Sequence, residues 1–561
     1  MAVIKMDWQK NLLIAAILAT LLLLVIRWHE YQEKLPAQPA VASQTAAANT
    51  SSAQGTVPSA SANSDIPVAA NSLSEAEKNT LAANQLIEVK TDSLDLTINP
   101  LGGDIVQLAL PRYFLKLDTP DQPFVLLDNR DNHTYLAQSG LIGANGTDTA
   151  QGRPLFTSEK TAYTLADGEN QLVIDLLLQQ GEVTITKRFT FTRGEYLIKV
   201  EYLIDNKSAS SWSAQLYGQI KRDSQNFVKV SALEMNPFLG AAITTPEENY
   251  KKMTFAKIAE GEYKTSHQGG WVAMVQHYFI SAWIPDSNSE NSYSLRKLGT
   301  NDLYLLGFTG KVTEVAPGTQ ASISANFYAG PKDTERLEQI SPHLDLTVDY
   351  GWLWWVSKPL FIVLKWIHEV VGNWGLAIIG LTLCVKLLFF KLSATSYKSM
   401  AKMRKLAPKL AEMKERYGDD RQKFSQEMMK MYKTEKVNPF GGCLPLLIQM
   451  PVFLALYYVL MESVELRHSP FFGWILDLSV KDPYFVLPII YGITMYFMQK
   501  LNPQPTDPMQ ARIMQMLPLI FTFMFLWFPA GLVLYWVTNN ILSIAQQYII
   551  TKQIDAEPAA K

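Results

Sequence analysis

The stretch Gly375 to Ser393, GLAIIGLTLCVKLLFFKLS, restricts the possible folds of this 561-residue chain more than any other. It is apolar enough and long enough to be read as a helix crossing a bilayer. Lys386 nevertheless lies inside the apolar run. A charged side chain at the centre of a membrane helix costs about 3 kcal/mol on insertion scales, and such residues mark functional paths by default. On a continuous helix Thr382 lies one turn before Lys386, and Ser393 two turns after it on the same side. The stretch alone leaves two readings open: a lysine that snorkels to the nearby interface on its aliphatic stem, or a cation that serves a polar groove.

The long apolar runs concentrate between residues 352 and 550, whereas residues 35 to 340 read as water-soluble. The chain is therefore a soluble domain joined to a membrane domain. A formal net charge of −2 leaves no basic footprint for nucleic acid. The two cysteines, Cys384 and Cys443, fall within or beside apolar spans, so no disulfide framework or zinc spacing is available. His133, His267, His277 and His343 are scattered, with no HExxH, P-loop or GxSxG pattern. No enzymatic activity, metal or cofactor is expected.

Within residues 1–34, Lys5 and Lys10 precede the apolar run Leu12 to Ile26. The first Ala-x-Ala match, Ala40 to Ala42, lies too far beyond that run for cleavage, which points to an uncleaved signal anchor. Residues 35–84, rich in Ala, Ser, Pro, Thr and Gln, read as a flexible linker. Over 85–340 the pattern alternates, as in Leu94-x-Leu96-x-Ile98, LVIDLLL, EVTITKRFTFT and YLIKVEYLI, with Gly, Asn and Asp turns between. No helices alternate with these strands, so an all-β antiparallel sandwich is expected. In 341–374, Trp352, Trp354, Trp355, Trp366 and Trp374 crowd together, and Lys358 to Val371 reads as an amphipathic helix on the outer membrane surface, with a short transmembrane helix as the alternative.

The remainder, 375–551, reads as a helical membrane core. It encloses a segment, 397–438, with 12 Lys/Arg against 6 Asp/Glu, a basic excess that belongs on the cytoplasmic side. Met400, Met403, Leu406, Leu410 and Met413, then Phe424, Met428 and Met431, recur at helical spacing on either side of a Gly418–Asp420 turn. This predicts a helical hairpin, kinked at Pro408. Its methionine-rich face, Met400, Met403, Met428 and Met431 with Lys405, is a candidate recruitment surface of the adaptable kind, with plain packing as the alternative. Further spans are expected over Gly442–Val464, Tyr484–Gln499, Ile513–Phe528 and Leu532–Ile550. With the signal anchor these make six spans, both termini cytoplasmic, the sandwich outside, and a short tail over 552–561. On the last span Trp536, Asn540, Ser543 and Gln547 fall at i, i+4, i+7 and i+11, one polar face. With Gln449 on another span, that face predicts a wet groove around Lys386.

The motifs YKSMAKMRKLAPKL, YGDDRQKFSQEMMKMYKTEKVNPFGGCLPLLIQMPVFLALYYVL, VELRHSPFFGWILDLSVKDPYFVLPI and FLWFPAGLVLYWVTNN resemble the YidC family of membrane protein insertases over about residues 350 to 550. The tether and outer sandwich resemble the layout of its Gram-negative members. The resemblance implies a multi-domain membrane protein of the bacterial inner membrane. It would have a periplasmic β super-sandwich, a six-helix membrane part with five helices forming the insertase core, and a cytoplasmic helical hairpin. It implies insertion of nascent membrane proteins, alone or with the Sec translocon, fed by the ribosome and signal recognition particle pathway and released into membrane lipids. It further implies that Lys386 matches the groove cation, usually arginine, and that Thr382 matches a substrate-contacting polar residue. Trp536 stands where many members have tyrosine. Gln449, Asn540 and Ser543 complete the expected groove. A small-anion transporter or channel built on Lys386 is the rival reading.

Overall fold

The computed structural model describes residues 86–130, 133–150, 152–226, 237–417, 420–435, 444–502 and 508–556. The signal-anchor run Leu12–Ile26, the 35–84 linker, Gly418 and Asp419 of the hairpin turn, Gly442, Cys443 and residues 557–561 of the tail lie outside the described residues.

The alternating region forms two stacked sheets. One has ten strands in the order Tyr263–Gln268, Glu290–Lys297, Tyr304–Val315, Trp212–Arg222, His133–Ile142, Pro123–Arg130, Asp104–Phe114, Asp95–Asn99, Ile87–Lys90 and Ala162–Thr164. The other has nine: Lys251–Met253, Gly240–Ile243, Val272–Val275, Phe279–Pro285, Thr319–Pro331, Leu197–Asn206, Val183–Thr192, Gln171–Gln180 and Thr157–Ser158. Neighbouring strands pair antiparallel throughout, except that Ile87–Lys90 pairs parallel with Ala162–Thr164. Period-two burial drives the stacking. In Val183–Thr192 each second residue faces inward, so Val183, Ile185, Phe189 and Phe191 join the core.

The same alternation turns Lys187 inward, where it is fully buried. Its ammonium donates to the carbonyls of Gly102, Gly103 and Ser139 at 2.9, 2.8 and 3.0 Å. Gly103 has φ 63°, and a Cβ there would lie 2.8 Å from Lys187 Cδ, so glycine is what admits the lysine. Arg153 pairs with Asp104 and Asp148 alongside, closing a polar knot inside the sandwich. Burial pushes the Lys187 ammonium down to about 7.

Two short helices, α1 (Phe255–Glu260) and α2 (Thr334–Ile340), accompany the sheets. Asp333 caps α2 by accepting from the Glu335 and Arg336 amides, and Leu337 seats it in the core. Then come α3 (Trp354–Val371), α4 (Trp374–Leu388), α5 (Phe390–Tyr417), α6 (Arg421–Thr434), α7 (Leu444–Glu462), α8 (Val486–Leu501), α9 (Pro508–Met524) and α10 (Ala530–Ala556). Among the described residues, no single helix is both long and apolar enough to cross a membrane. The bent pair α4–α5 meets that test jointly, with 69° between its arms.

Several expectations change. The stretch Gly375–Ser393 is not one straight helix. It breaks at Phe389, so Ser393 belongs to α5 and the stripe from Thr382 to Ser393 does not form. Neither glycine nor proline marks the break. Instead α5 turns to lay Tyr397, Met400 and Ala401 against Ile550 and Ile554 of α10. Pro408 lies inside α5, which continues past it to Tyr417. Residues 552–556, expected as tail, extend α10 by another turn.

Candidate functional site

α10 is the spine of the helical part, in contact with α4, α5, α7 and α8. Lys386 stands in the last turn of α4, where the carbonyl end of the helix favours a cation. Its Nζ donates to Ser543 Oγ at 2.7 Å, and Ser543 Oγ donates onward to the Asn539 carbonyl at 2.7 Å. Tyr397 of α5 is buried beside them, packed on α10 against Ile550 and Ile554. The lysine is therefore turned inward onto α10, although a snorkelling stem could have carried it out. Around it, Leu383, Leu387 and Leu388 are exposed apolar surface.

The other expected groove residues divide. Gln449 of α7 donates to the Tyr535 hydroxyl of α10. Asn540 donates to Thr494 Oγ1 of α8 at 3.2 Å, and Gln547 to the Leu501 carbonyl and Asn502 Oδ1 at 3.2 and 3.0 Å. Only Ser543 of the predicted α10 stripe meets Lys386, while the two amides bind the end and middle of α8. Trp536 sits among the rings of Phe453, Tyr491, Phe525 and Tyr535, at centroid distances of 4.9, 6.1, 6.0 and 6.0 Å. Thr382 is buried, its hydroxyl donated to the Ile378 carbonyl one turn back. Among the described residues, three buried polar atoms on α10 have no hydrogen-bond partner: Trp536 Nε1, Asn539 Oδ1 and Gln547 Oε1. Such atoms in an apolar setting are costly unless something polar reaches them.

Tyr535, Tyr397 and Thr494 were not singled out by sequence reasoning. Tyr535 had a signal, since it adjoins Trp536, at the position where tyrosine is usual in the resembled family. Tyr397 and Thr494 had none, because only the packing of α5 and α8 on α10 brings them in.

The basic hairpin consists of α5 and α6, joined across their open end by Lys409 Nζ and Glu435 Oε1 at 2.8 Å. Met400 is buried and Met403 partly so, both against α10. Lys405 Nζ donates to the Ile554 carbonyl at 2.7 Å. Met428 and Met431 on α6 are half-buried, and Met429 is 42% exposed. Of the candidate recruitment residues, Met428 and Met431 are half-open on α6, while Met400, Met403 and Lys405 contact α10.

α3 is amphipathic in an inverted sense. Phe361, Leu364 and Ile367 face the protein, yet the outward side carries Trp354, Trp355, Ile362, Trp366 and Val370, each more than half exposed. An outer face this apolar suits a lipid boundary, not water.

A large β-sandwich followed by a bundle of apolar helices around one inward-turned lysine defines a membrane protein with a bulky soluble domain. Residues 86–363 match the YidC periplasmic domain, and residues 366–557 match the 60Kd inner membrane protein family. The chain is 72% identical over 553 residues to the membrane protein insertase YidC of Cellvibrio japonicus (strain Ueda107), covering 98% of this chain and 99% of that one. It is 53% identical over 559 residues to that of Pseudomonas fluorescens (strain SBW25), covering 99% of each. A crystal structure of an active YidC insertase with its first transmembrane domain resolved aligns at 19% identity and a TM-score of 0.38, over 83% of this chain and 92% of that one. The chain belongs to the YidC family of membrane protein insertases, whose activity is not enzymatic. The first family boundary falls inside α3, so the helix expected to separate the domains belongs partly to each.

Proposed function

We propose that the chain inserts membrane proteins through a polar groove centred on Lys386, with Ser543 holding the ammonium and Gln449, Asn540 and Trp536 along its walls. The observation that carries this reading is the Lys386–Ser543 contact, a cation kept inside an otherwise apolar helix bundle. A nascent chain meets the α5–α6 hairpin, with Met428 and Met431 as its adaptable contact and the ribosome and signal recognition particle pathway as its source. The substrate's polar, acidic flank enters beside Lys386, which attracts it. The unpartnered Trp536 Nε1 donates to the flank in place of lost water, and Asn539 Oδ1 and Gln547 Oε1 accept from its backbone N–H groups. The apolar segment then slides along the exposed faces of α7 and α9, including Met450, Met516, Leu519 and Phe523, into lipid. Hydrophobic transfer and the membrane potential acting on charge drive the step.

In this reading the hairpin and both termini are cytoplasmic. The 12 to 6 basic excess of residues 397–438 supports the orientation. Six spans, counting the signal anchor, carry the chain across the inner membrane; α4, α7, α8, α9 and α10 form the core. Residues 85–340 make the periplasmic sandwich and 341–374 the interfacial segment, with the Sec translocon as an alternative source of substrate. Reconstituted insertion of a substrate with an acidic N-terminal tail tests the reading with Lys386→Arg, Lys386→Ala and Lys386→Glu. The arginine variant is expected to keep activity, alanine to lose part and glutamate most of it. Full insertion by the glutamate variant overturns charge attraction.

A further inference from the structure

The sandwich meets the helical core through a set of buried polar contacts that the insertion reading leaves unused. Lys332, directly after the last strand, pairs with Glu462 at the end of α7, Nζ to Oε2 2.6 Å, with side chains 2% and 10% exposed. One residue earlier, the Met461 carbonyl accepts from His277 Nε2 of the sandwich at 2.8 Å. Five residues further along from Glu462, Arg467 donates to the Phe114 carbonyl at 2.6 Å and the Leu115 carbonyl at 3.3 Å. Its guanidinium also lies over Phe124 and Phe279, at 5.7 and 5.6 Å, and those two rings stack at 4.2 Å. Three consecutive features of one short segment thus grip three separate parts of the sandwich. A mobile module on a tether needs none of this, and a buried ion pair is costly to build unless both partners stay in register.

We infer that Lys332, His277 and Arg467 are positioning residues: they latch the sandwich onto the outer end of α7 as a fixed cap, and so set where α7 stands against α10. α7 is gripped by the latch at its outer end and by α3 midway, where Ser357 Oγ donates to the Ala455 carbonyl at 3.1 Å. At its other end it carries Gln449 to Tyr535. A rotation or slide of α7 at the latch would move Gln449 off α10, and the groove wall with it. The functional half of this inference rests on the insertion reading; the rigid cap does not.

The test uses the full chain with Cys384 and Cys443 replaced by serine. Spin labels go on two exposed positions, Val173→Cys on the sandwich and Val480→Cys on the loop after α7. Their distance distribution and reconstituted insertion are measured for the parent, Lys332→Arg, Glu462→Gln, Lys332→Glu, Glu462→Lys and the Lys332→Glu/Glu462→Lys exchange. The parent and Lys332→Arg are expected to show one narrow distance. The single neutral and reversed variants should broaden it and lose insertion, and the charge exchange should narrow it and recover insertion. A narrow distance in the single variants overturns the cap. Broadening with unchanged insertion overturns the positioning role. Lost insertion with a narrow distance does so too, because the residues would then act by another route. A parent with a narrow distance and no insertion leaves the cap standing and refutes the insertion reading instead.

Discussion

His277 gives the domain seam a pH dependence of known sign. Burial, then the charges of Lys332 and Arg467, hold its imidazole down to about 4 from an ordinary 6.5. Nε2 must also carry its proton toward the Met461 carbonyl, which a neutral ring does. The folded value is depressed, so between pH 6.5 and 4 the unfolded chain binds a proton that the native chain refuses. Stability is therefore lost as pH falls through that window and is recovered above 6.5. At pH 5 the loss is about 2 kcal/mol, from ~1.36 kcal/mol per pH unit over the interval from 6.5 to 5. His277→Gln keeps an N–H donor but cannot titrate. Thermal unfolding of the full chain in detergent, followed from pH 7.5 to 4.5, should show the parent falling faster than His277→Gln, by a few degrees at pH 5. Parallel curves for the two proteins would refute the reasoning, because the other titrating groups are common to both.

Glu465, just beyond α7, should behave oppositely. Burial, then the neighbouring Asp333 and Glu335 carboxylates, raise it from 4.5 to about 7 against the pull of Lys365, so its stabilisation is lost as pH rises from 4.5 through 7. In the same assay Glu465→Gln should hold its melting temperature better than the parent across that rise. Lys187→Met strips the ammonium from three buried carbonyls and should destabilise the sandwich by about 2–4 kcal/mol, read by chemical unfolding. Gly492→Ala places a methyl group 2.2 Å from Thr522 Oγ1, where α8 and α9 meet, and should cost about 1–3 kcal/mol in the same measurement.

What could be read from the chain depended on whether a residue's environment is set by its own segment. Val183–Thr192 is inward at every second residue because the strand period is local, and the sandwich follows from many such segments. The alternation even turns Lys187 inward, but the three carbonyls that accept it come from a turn and a strand 48 to 85 residues away. The α10 stripe shows the same divide. Its periodicity marks Asn540, Ser543 and Gln547 as one polar face, yet α4 takes the serine and α8 takes both amides. A one-dimensional pattern cannot apportion partners among neighbouring helices. The bend at Phe389 was hidden for a related reason: its cause lies in α5 docking on Ile550 and Ile554, not in a helix-breaking residue. The latch is less visible still, since Lys332 and Glu462 are 130 residues apart and neither stands in a recognisable motif.

On the proposed function, Lys386 draws an acidic substrate flank into the groove by charge. The direct measurement is photo-crosslinking from position 449 on α7, whose partner Tyr535 lies about 12 Å along α10 from Ser543 by helical rise, to the tail of a ribosome-stalled substrate. Acidic and basic tails are compared in the Lys386 and Lys386→Glu backgrounds, in proteoliposomes with no imposed potential. Lys386 is expected to favour the acidic tail, and Lys386→Glu to reverse the preference. The same tail preference in both backgrounds would contradict charge attraction.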